Sequence, residues 1–552
     1  MSERWYKQAV IYCLDVETFQ DSDGDGIGDL RGLLSRLDYL ARLGVTCLWL
    51  NPVHPTPNRD DGYDVADYYG IDPRIGSLGD FAELVHEAGN RGIRIMMDLV
   101  VNHTSDEHSW FRSARADASS SYRDWYIWSD REPAGRRQGM VFPGEQQETW
   151  TFDQDAGAWY FHRFHAFEPD LNWANPAVQA EIKRVIGFWL QLGVAGFRID
   201  AAPSVITLEG PEDQTSRQDF TLLTELRGHV SWLAGDAVLL AEANVGLDQL
   251  PEYFSGPGGS GDRLHMLFDF RLNSHLMLAL ARGEAEPVIE TLRSTPPIPA
   301  WGQWATFLRN HDEVDLSGLT AEQRQQVFAV FGPQETMRIY GRGIRRRLAP
   351  MLGGHPGRIR MAYSLQFTLP GTPVLRYGEE LGMGEDLALS GRTAVRTPMQ
   401  WTDEASGGFS TAGRDQLVRP VIRGGEYGCE TVNVLDQRRD RSSLLSWFET
   451  MIRTMRESPE VGTGTCTLID VPLPPHVLAH RCDGPTGSML FLHNLADSPA
   501  TCDLAAPSGA GDTVVEVFAD QDYPPPDVGL HELELAGYGY RWLRLDRQTG
   551  SA

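Results

Sequence analysis

Four short stretches place ionisable side chains at the ends of apolar runs. GFRIDA carries Arg198 and Asp200, LLAEAN carries Glu242, FLRNHDE carries His311 and Asp312, and DLVVNH carries Asp98, Asn102 and His103. Successive side chains of an extended segment alternate between faces, so Phe197 and Ile199 point one way and Arg198 and Asp200 the other. A guanidinium and a carboxylate buried at a strand end must pair with each other or with a ligand. Were the three carboxylates only structural, each would need its own cation, and Arg198 is the one evident candidate. The chain shows no catalytic cysteine or serine motif and no glycine-rich phosphate loop. Three carboxylates, two histidines and an arginine suit glycosyl transfer. One carboxylate attacks the anomeric carbon, and a second protonates the departing oxygen and later deprotonates the acceptor. The cationic transition state favours further negative charge nearby.

The elements that must hold these groups emerge from hydrophobic periodicity. Apolar runs at 10–14, 45–51, 93–98, 196–200 and 237–242 read as strands. Helical periodicity covers 30–43, 77–91, 176–192 and about 220–233. This alternation predicts a parallel sheet closed as a (β/α)8 TIM barrel, whose chemistry sits at the C-terminal ends of the strands. Between 104 and 171 the rhythm gives way to an insert rich in Trp, Tyr, Asp and Gly, read as a subdomain that shapes the site. From about 460, short β-like runs separated by turn residues predict an antiparallel β-sandwich packed on the barrel. The expected division is barrel over 1–103 and 172–458, inserted B subdomain over 104–171, and sandwich over 459–552.

The 552 residues allow two or three domains, and 41% hydrophobic with 23% charged residues is an ordinary globular composition. A net charge of −27 argues against nucleic acid and anionic membranes as partners. The N-terminal stretch lacks the pattern of a secretory signal and no run of 18 apolar residues occurs, so a cytoplasmic location is expected. The six cysteines form no CxxC pair and are read as reduced, mostly buried and free of metal. Arg345 to Arg347 read as a solvated helix face.

DSDGDGIGDLRG, from Asp21 to Gly32, spaces carboxylates on alternate positions around Gly26, as a calcium loop does. An EF-hand would carry Glu at the twelfth position, where this chain has Gly32. The loop offers Asp21, Asp23, Asp25, Ile27 and Asp29 as the ligand positions of a structural calcium ion. No organic cofactor is expected.

Taken together, DLVVNH, GFRIDA, AEAN and RNHDE, in that order, resemble the α-amylase family, glycoside hydrolase family 13, over nearly the whole chain. The resemblance implies Asp200 as nucleophile, Glu242 as acid/base and Asp312 as the carboxylate that fixes the sugar. It implies that Arg198 orients the nucleophile and that His103 and His311 bind sugar hydroxyls. The retaining route predicts carboxyl groups of Asp200 and Glu242 about 5–5.5 Å apart. A second cation is implied between Asn102 and Asp170. RDDGYDVADY resembles members acting on small α-glucosides in a closed pocket, with Asp60 on the non-reducing end and Tyr63 stacked on the ring. VRTPMQW adds Arg396 to the donor sugar.

GIRRRLAPML, LPGTPVLRYGEELGMGEDL and HRFHAFEPDLNW further resemble the members that interconvert maltose and trehalose by moving glucose within a closed site. The expected partner is therefore a small-molecule α-glucoside such as maltose, trehalose or a related disaccharide, with homo-oligomerisation possible. After RNHDE those members continue with threonine, leucine and a second glutamate, whereas this chain reads VDLSGL with Ser317 in the glutamate's place. APSVITLEGPEDQ, from Ala202, and the stretch GMVFPGEQQE also depart from the pattern, on what is expected to be the acceptor side. Isomerisation, hydrolysis and transfer to another acceptor all share the first displacement and differ only in acceptor control. Non-catalytic relatives that serve as binding or transporter partners lack the catalytic carboxylates, and this chain keeps all three.

Overall fold

The computed structural model describes residues 4–208, 217–259, 261–485, 487–504, 513–527 and 529–546. Eight parallel strands close into a barrel: β1 (Ile11–Leu14), β2 (Cys47–Leu50), β3 (Arg94–Leu99), β4 (Gly196–Ile199), β5 (Val238–Ala241), β6 (Met266–Phe268), β7 (Gln303–Phe307) and β8 (Thr372–Arg376). Each pairs with the next, and β8 returns to β1. The interior is filled by alternate residues, among them Ile11, Cys13, Cys47, Trp49, Met96, Val238, Leu240, Phe268 and Phe307. On β4 the inward positions go to Gly196 and Arg198, while Phe197 and Ile199 join the outer core beneath the helices. A Cβ at Gly196 would stand 2.5 Å from the Val238 carbonyl oxygen, so only glycine fits that point of the barrel. Register sets Asp98 of β3 and Leu240 of β5 opposite Arg198. The paired polar residues thus lie at the upper end of an otherwise apolar barrel.

Local signals explain where the surrounding helices begin. Ser77 and Asp80 form a capping box at the start of Leu78–Asn90, and Asn175 caps Pro176–Gln191 with proline in its first turn. The periodicity over 30–43, expected as one helix, is broken at Arg36 into Leu30–Ser35 and Leu37–Leu43. Arg36 there binds Gln20 Oε1 at 2.7 Å and lies over the Trp401 ring.

After β3 the chain leaves the barrel for a subdomain built on the helix Ser109–Ala116 and a three-stranded antiparallel sheet of Trp128–Ser129, Trp150–Asp153 and Ala158–Phe161. Its core is aromatic, with the Trp110 and Trp125 rings 4.7 Å apart and Phe111 5.1 Å from Tyr160. At the C-terminus, β9 (Thr465–Leu468), β10 (Val477–Asp483), β11 (Ser488–Asn494), β12 (Thr513–Ala519) and β13 (Tyr540–Asp546) form an antiparallel sheet in the order β9-β10-β11-β13-β12. A second, two-stranded sheet of Ala500–Cys502 and Leu533–Leu535 closes an apolar core with it.

Two expectations are corrected here. Cys466 and Cys482 are directly opposed on β9 and β10 and form a disulfide, so they are not reduced; Cys13, Cys47, Cys429 and Cys502 are buried free thiols. Arg345, Arg346 and Arg347 are not a solvated face. Arg347 is 1% exposed and binds the Tyr377 carbonyl and Glu379, while Arg346 pairs with Glu385. Among the described residues no helix is long and apolar enough to cross a membrane.

The C-terminal sheet is keyed to the barrel through the helix Pro356–Thr368. Ser364 Oγ meets Trp542 Nε1 at 2.8 Å and His493 Nε2 at 2.9 Å, and His480 Nε2 donates to the Thr368 carbonyl at 2.8 Å. Replacing the fully buried Trp542 by alanine leaves a cavity at this junction and is expected to cost about 3–5 kcal/mol, read as a lowered chemical-denaturation midpoint. Ser364→Ala, which removes only the shared hydroxyl, is expected to cost about 1–3 kcal/mol in the same measurement.

Candidate active site

Each strand end delivers its polar residue to one pocket, lined by Asp60, Tyr63, His103, Asp200, Glu242, His311 and Asp312 together with Val141, Phe142, Phe164, Glu168 and Arg392. Arg198 lies beneath this floor, 1% exposed, with its guanidinium over the Trp49 ring. One terminal nitrogen reaches Asp200 Oδ1 at 2.9 Å and Asp98 Oδ1 at 3.0 Å; the other binds Glu242. Asp98 is completed by Trp49 Nε1 at 3.1 Å and by the Tyr63 hydroxyl at 2.8 Å. Tyr63 also touches His311 Nε2 at 2.7 Å, and its ring stacks on the His311 ring. The β4 pair therefore binds far more than itself: one guanidinium ties three strand ends together.

Asp312 belongs to a second cationic set. Arg396 donates to it at 2.9 Å and Arg392 stands 3.1 Å away, while Arg396 also binds Asp61 and the His311 carbonyl. Arg419 holds the far side of Asp61 and pairs with Glu17 at 2.9 Å. Arg396, expected at the sugar, is buried behind Asp312. Arg392 faces the pocket instead, and only its place four residues before Arg396 hinted at it.

These surroundings separate the carboxyl groups electrically. Burial pushes Glu242 up to about 7, helped by Asp200 and Asp312 and opposed by Arg198. Asp98 rises to about 6 through burial, against the pull of Arg198. Asp200 is also raised by burial, with Arg198 opposing. For Asp312 burial acts upward too, but Arg392, His311 and Arg396 hold it well below the usual carboxylate range. His103 falls to about 3 and His311 well below its ordinary value, both through burial, so the imidazoles are neutral at pH 7.

Other predicted residues lie outside this cluster. In the acidic loop, Asp21, Asp23 and Asp29 bring carboxylate oxygens within 4.8 Å of one another. Asp21 is fixed by the peptide N–H groups of Asp23, Gly24 and Gly26, and Asp29 by those of Ser22 and Gly32. Asp25 turns away to accept from the Ile27 N–H at 2.8 Å. Gly26 has φ +95°, and a Cβ there would strike the Gln416 carbonyl at 2.2 Å. Three oxygens so disposed fit a hard cation such as calcium. Asn102 and Asp170 are brought to adjoining positions by the His103–Asp170 bridge, with the Leu171 N–H bound to the Asn102 carbonyl.

On the open side, Phe142 of GMVFPGEQQE packs 5.1 Å from the Tyr340 ring, with the Arg392 guanidinium 5.2 Å from Phe142. Arg342 donates to the Val141 carbonyl at 3.1 Å. Ser317 is exposed and bonds Asp315 and Asn244, away from the pocket. Residues 209–216, which include the later part of APSVITLEGPEDQ, lie outside the described residues.

A parallel barrel with paired carboxylates and a third, cation-held carboxylate at its strand ends defines a retaining glycosyl-processing enzyme. A family model described as the α-amylase catalytic domain matches residues 13–337 and 345–464, and the chain belongs to that family. A second model, a sucrose hydrolase-like C-terminal domain, matches 487–544. The chain is 40% identical over 544 residues to the trehalose synthase/amylase TreS of Mycobacterium tuberculosis, covering 98% of this chain and 90% of that one. It is 40% identical over 547 residues to the trehalose synthase of Thermus thermophilus, covering 99% of this chain and 56% of that one. Among solved structures it superposes on the trehalulose synthase MutB of Pseudomonas mesoacidophila with a TM-score of 0.77 at 26% identity, covering 98% and 99% of the two chains.

Infrared difference spectra against Glu242→Gln are expected to show one carboxyl titrating near pH 7. Asp312→Asn, which removes a neighbouring negative charge, lowers that midpoint.

Proposed function

We propose that this protein interconverts maltose and trehalose by moving a glucosyl unit within a closed site, through a covalent β-glucosyl intermediate on Asp200. The observation that carries the reading is the pair Asp200 and Glu242 held on the two ends of one guanidinium inside a pocket capped by the insert. Glu242, raised by burial to about 7, gives its proton to the departing glycosidic oxygen as Asp200 attacks the anomeric carbon. The first inversion leaves the β-linked sugar on Asp200. Glu242, now a carboxylate, takes the proton of the attacking hydroxyl, and the second inversion restores the α-configuration. Asp312, kept ionised by Arg392 and Arg396, faces the donor ring together with neutral His103 and His311.

Isomerisation requires that the cleaved glucose stay and water stay out. The Phe142–Tyr340–Arg392 contact supplies such a cover, and the extent of the likeness to trehalose synthases supports the same outcome. Asp60, at the closed end, is suited to hydroxyls of the non-reducing sugar.

The deciding test incubates the protein with maltose, and separately with trehalose, and tracks the products by chromatography, with Asp200→Asn as the inactive control. Trehalose appearing from maltose with little free glucose is the expected result; glucose as the main product makes the chain a hydrolase, and longer sugars make it an intermolecular transferase. Because Glu242 must be protonated for the first step, kcat/KM is expected to fall as pH rises through about 7. Glu242→Gln is expected to retain cleavage of an activated glucosyl fluoride while losing maltose.

We further propose that Asp21, Asp23 and Asp29 hold a structural calcium ion at the loop packed against Ser410 and Gln416. Chelation is then expected to lower the melting temperature, calcium to restore it, and Asp21→Asn to remove the response.

A further inference from the structure

One part of the pocket wall holds a set of donor atoms that glucosyl transfer does not explain. Asp60, His165 and Glu168 each offer one ligand atom, and these atoms lie within 4.8 Å of one another. Glu168 is fully buried. One of its oxygens accepts from the His165 peptide N–H at 3.2 Å, but Oε1 has no hydrogen-bond partner. His103 Nε2 stands 3.9 Å from that oxygen and faces the Tyr63 carbonyl at 3.3 Å. Asp60 is anchored through its backbone, its N–H to Asp64 and its carbonyl to Tyr63. The carboxylate of Asp60 and the imidazole of His165 make no hydrogen bond among the described residues. The Phe142 and Phe167 rings each stack on the His165 ring, with centroids 5.1 and 5.0 Å away.

We propose that Asp60, His165 and Glu168 form a binding site for a transition-metal dication of the zinc class, and that the metal inhibits by competing with the sugar for Asp60. Two carboxylate oxygens and one imidazole nitrogen are a zinc-type donor set, whereas calcium and magnesium take oxygen ligands. The two carboxylates neutralise the dication, and three protein ligands leave a fourth position for water. Stacking of Phe142 and Phe167 on His165 restrains the ring that must point at the metal. Metal binding stands on these atoms alone; only the competition rests on the proposed sugar site.

The test uses the full chain, stripped by chelator and returned to calcium so that the acidic loop is saturated. Calorimetry with Zn2+ and the visible absorption of added Co2+ report metal binding, and hydrolysis of 4-nitrophenyl α-glucoside reports competition. One equivalent of Zn2+ is expected to bind, and at ten times its Kd to raise the apparent KM about elevenfold with kcat unchanged. His165→Ala and Glu168→Gln are each expected to weaken Zn2+ binding by at least about tenfold, on the scale by which metal-site substitutions act. His86→Ala, on an exposed helix face, leaves it unchanged. Absence of Zn2+ binding, or undiminished binding in both variants, overturns the site. Binding that leaves KM unchanged overturns the competition. If the glucoside is not turned over at all, the functional reading fails, while calorimetry and the Co2+ spectrum still decide the metal site.

Discussion

The active end of this barrel depends on one buried cation. Arg198 has almost no access to water, and removing a guanidinium from water costs several kcal/mol unless its donors are met. Asp98, Asp200, Glu242 and the Tyr63 hydroxyl meet its two terminal nitrogens from three strands and a loop, with Trp49 below the charge, while Nε has no hydrogen-bond partner among the described residues. One positive charge against three carboxyl groups leaves the cluster short of cation. That shortage is why burial and mutual repulsion raise Asp98 and Glu242 toward neutral pH while the geometry stays fixed.

Asp312 shows the opposite use of the same chemistry. It is as buried as its neighbours, yet Arg392 and Arg396 hold it well below the usual carboxylate range. Arg396 is held by Asp61, and Asp61 by Arg419, so a chain of paired charges sets its position. Two buried aspartates, Asp312 and Asp98, are thus shifted in opposite directions, because the first reaches two guanidinium groups and the second shares one.

The cover of the pocket comes from outside the barrel strands. The aromatic insert brings Phe142 over the pocket mouth, where Tyr340 and Arg392 receive it. Tyr340 adopts a left-handed backbone with φ +55°, a conformation that a bulky residue holds only under constraint from its surroundings. The C-terminal sheet plays its part at a distance, burying the barrel helix Pro356–Thr368 through Trp542 and His493.

The sequence by itself determined the barrel, because its strands are apolar runs that end abruptly on charged residues and its helices carry caps. It also determined which face Arg198 takes, since strand alternation allows only two choices. Phe197 and Ile199 had to seek the outer core. In the acidic loop the spacing singled out the carboxylates, and the fold brings Asp21, Asp23 and Asp29 together while Asp25 accepts from the Ile27 N–H. Tertiary structure alone decided the rest. Arg345 to Arg347 read as solvated because a run of charge carries no record of the glutamates and carbonyls that bury it. Cys466 and Cys482 gave no spacing signal, because their pairing is set by cross-strand register. Arg392 displaced Arg396 at the pocket face, and Glu168 entered the wall with one oxygen unsatisfied, because long-range packing sets which side chain of a loop reaches inward. Local pattern fixes what a residue can be, whereas partners distant in the chain fix its charge and its use.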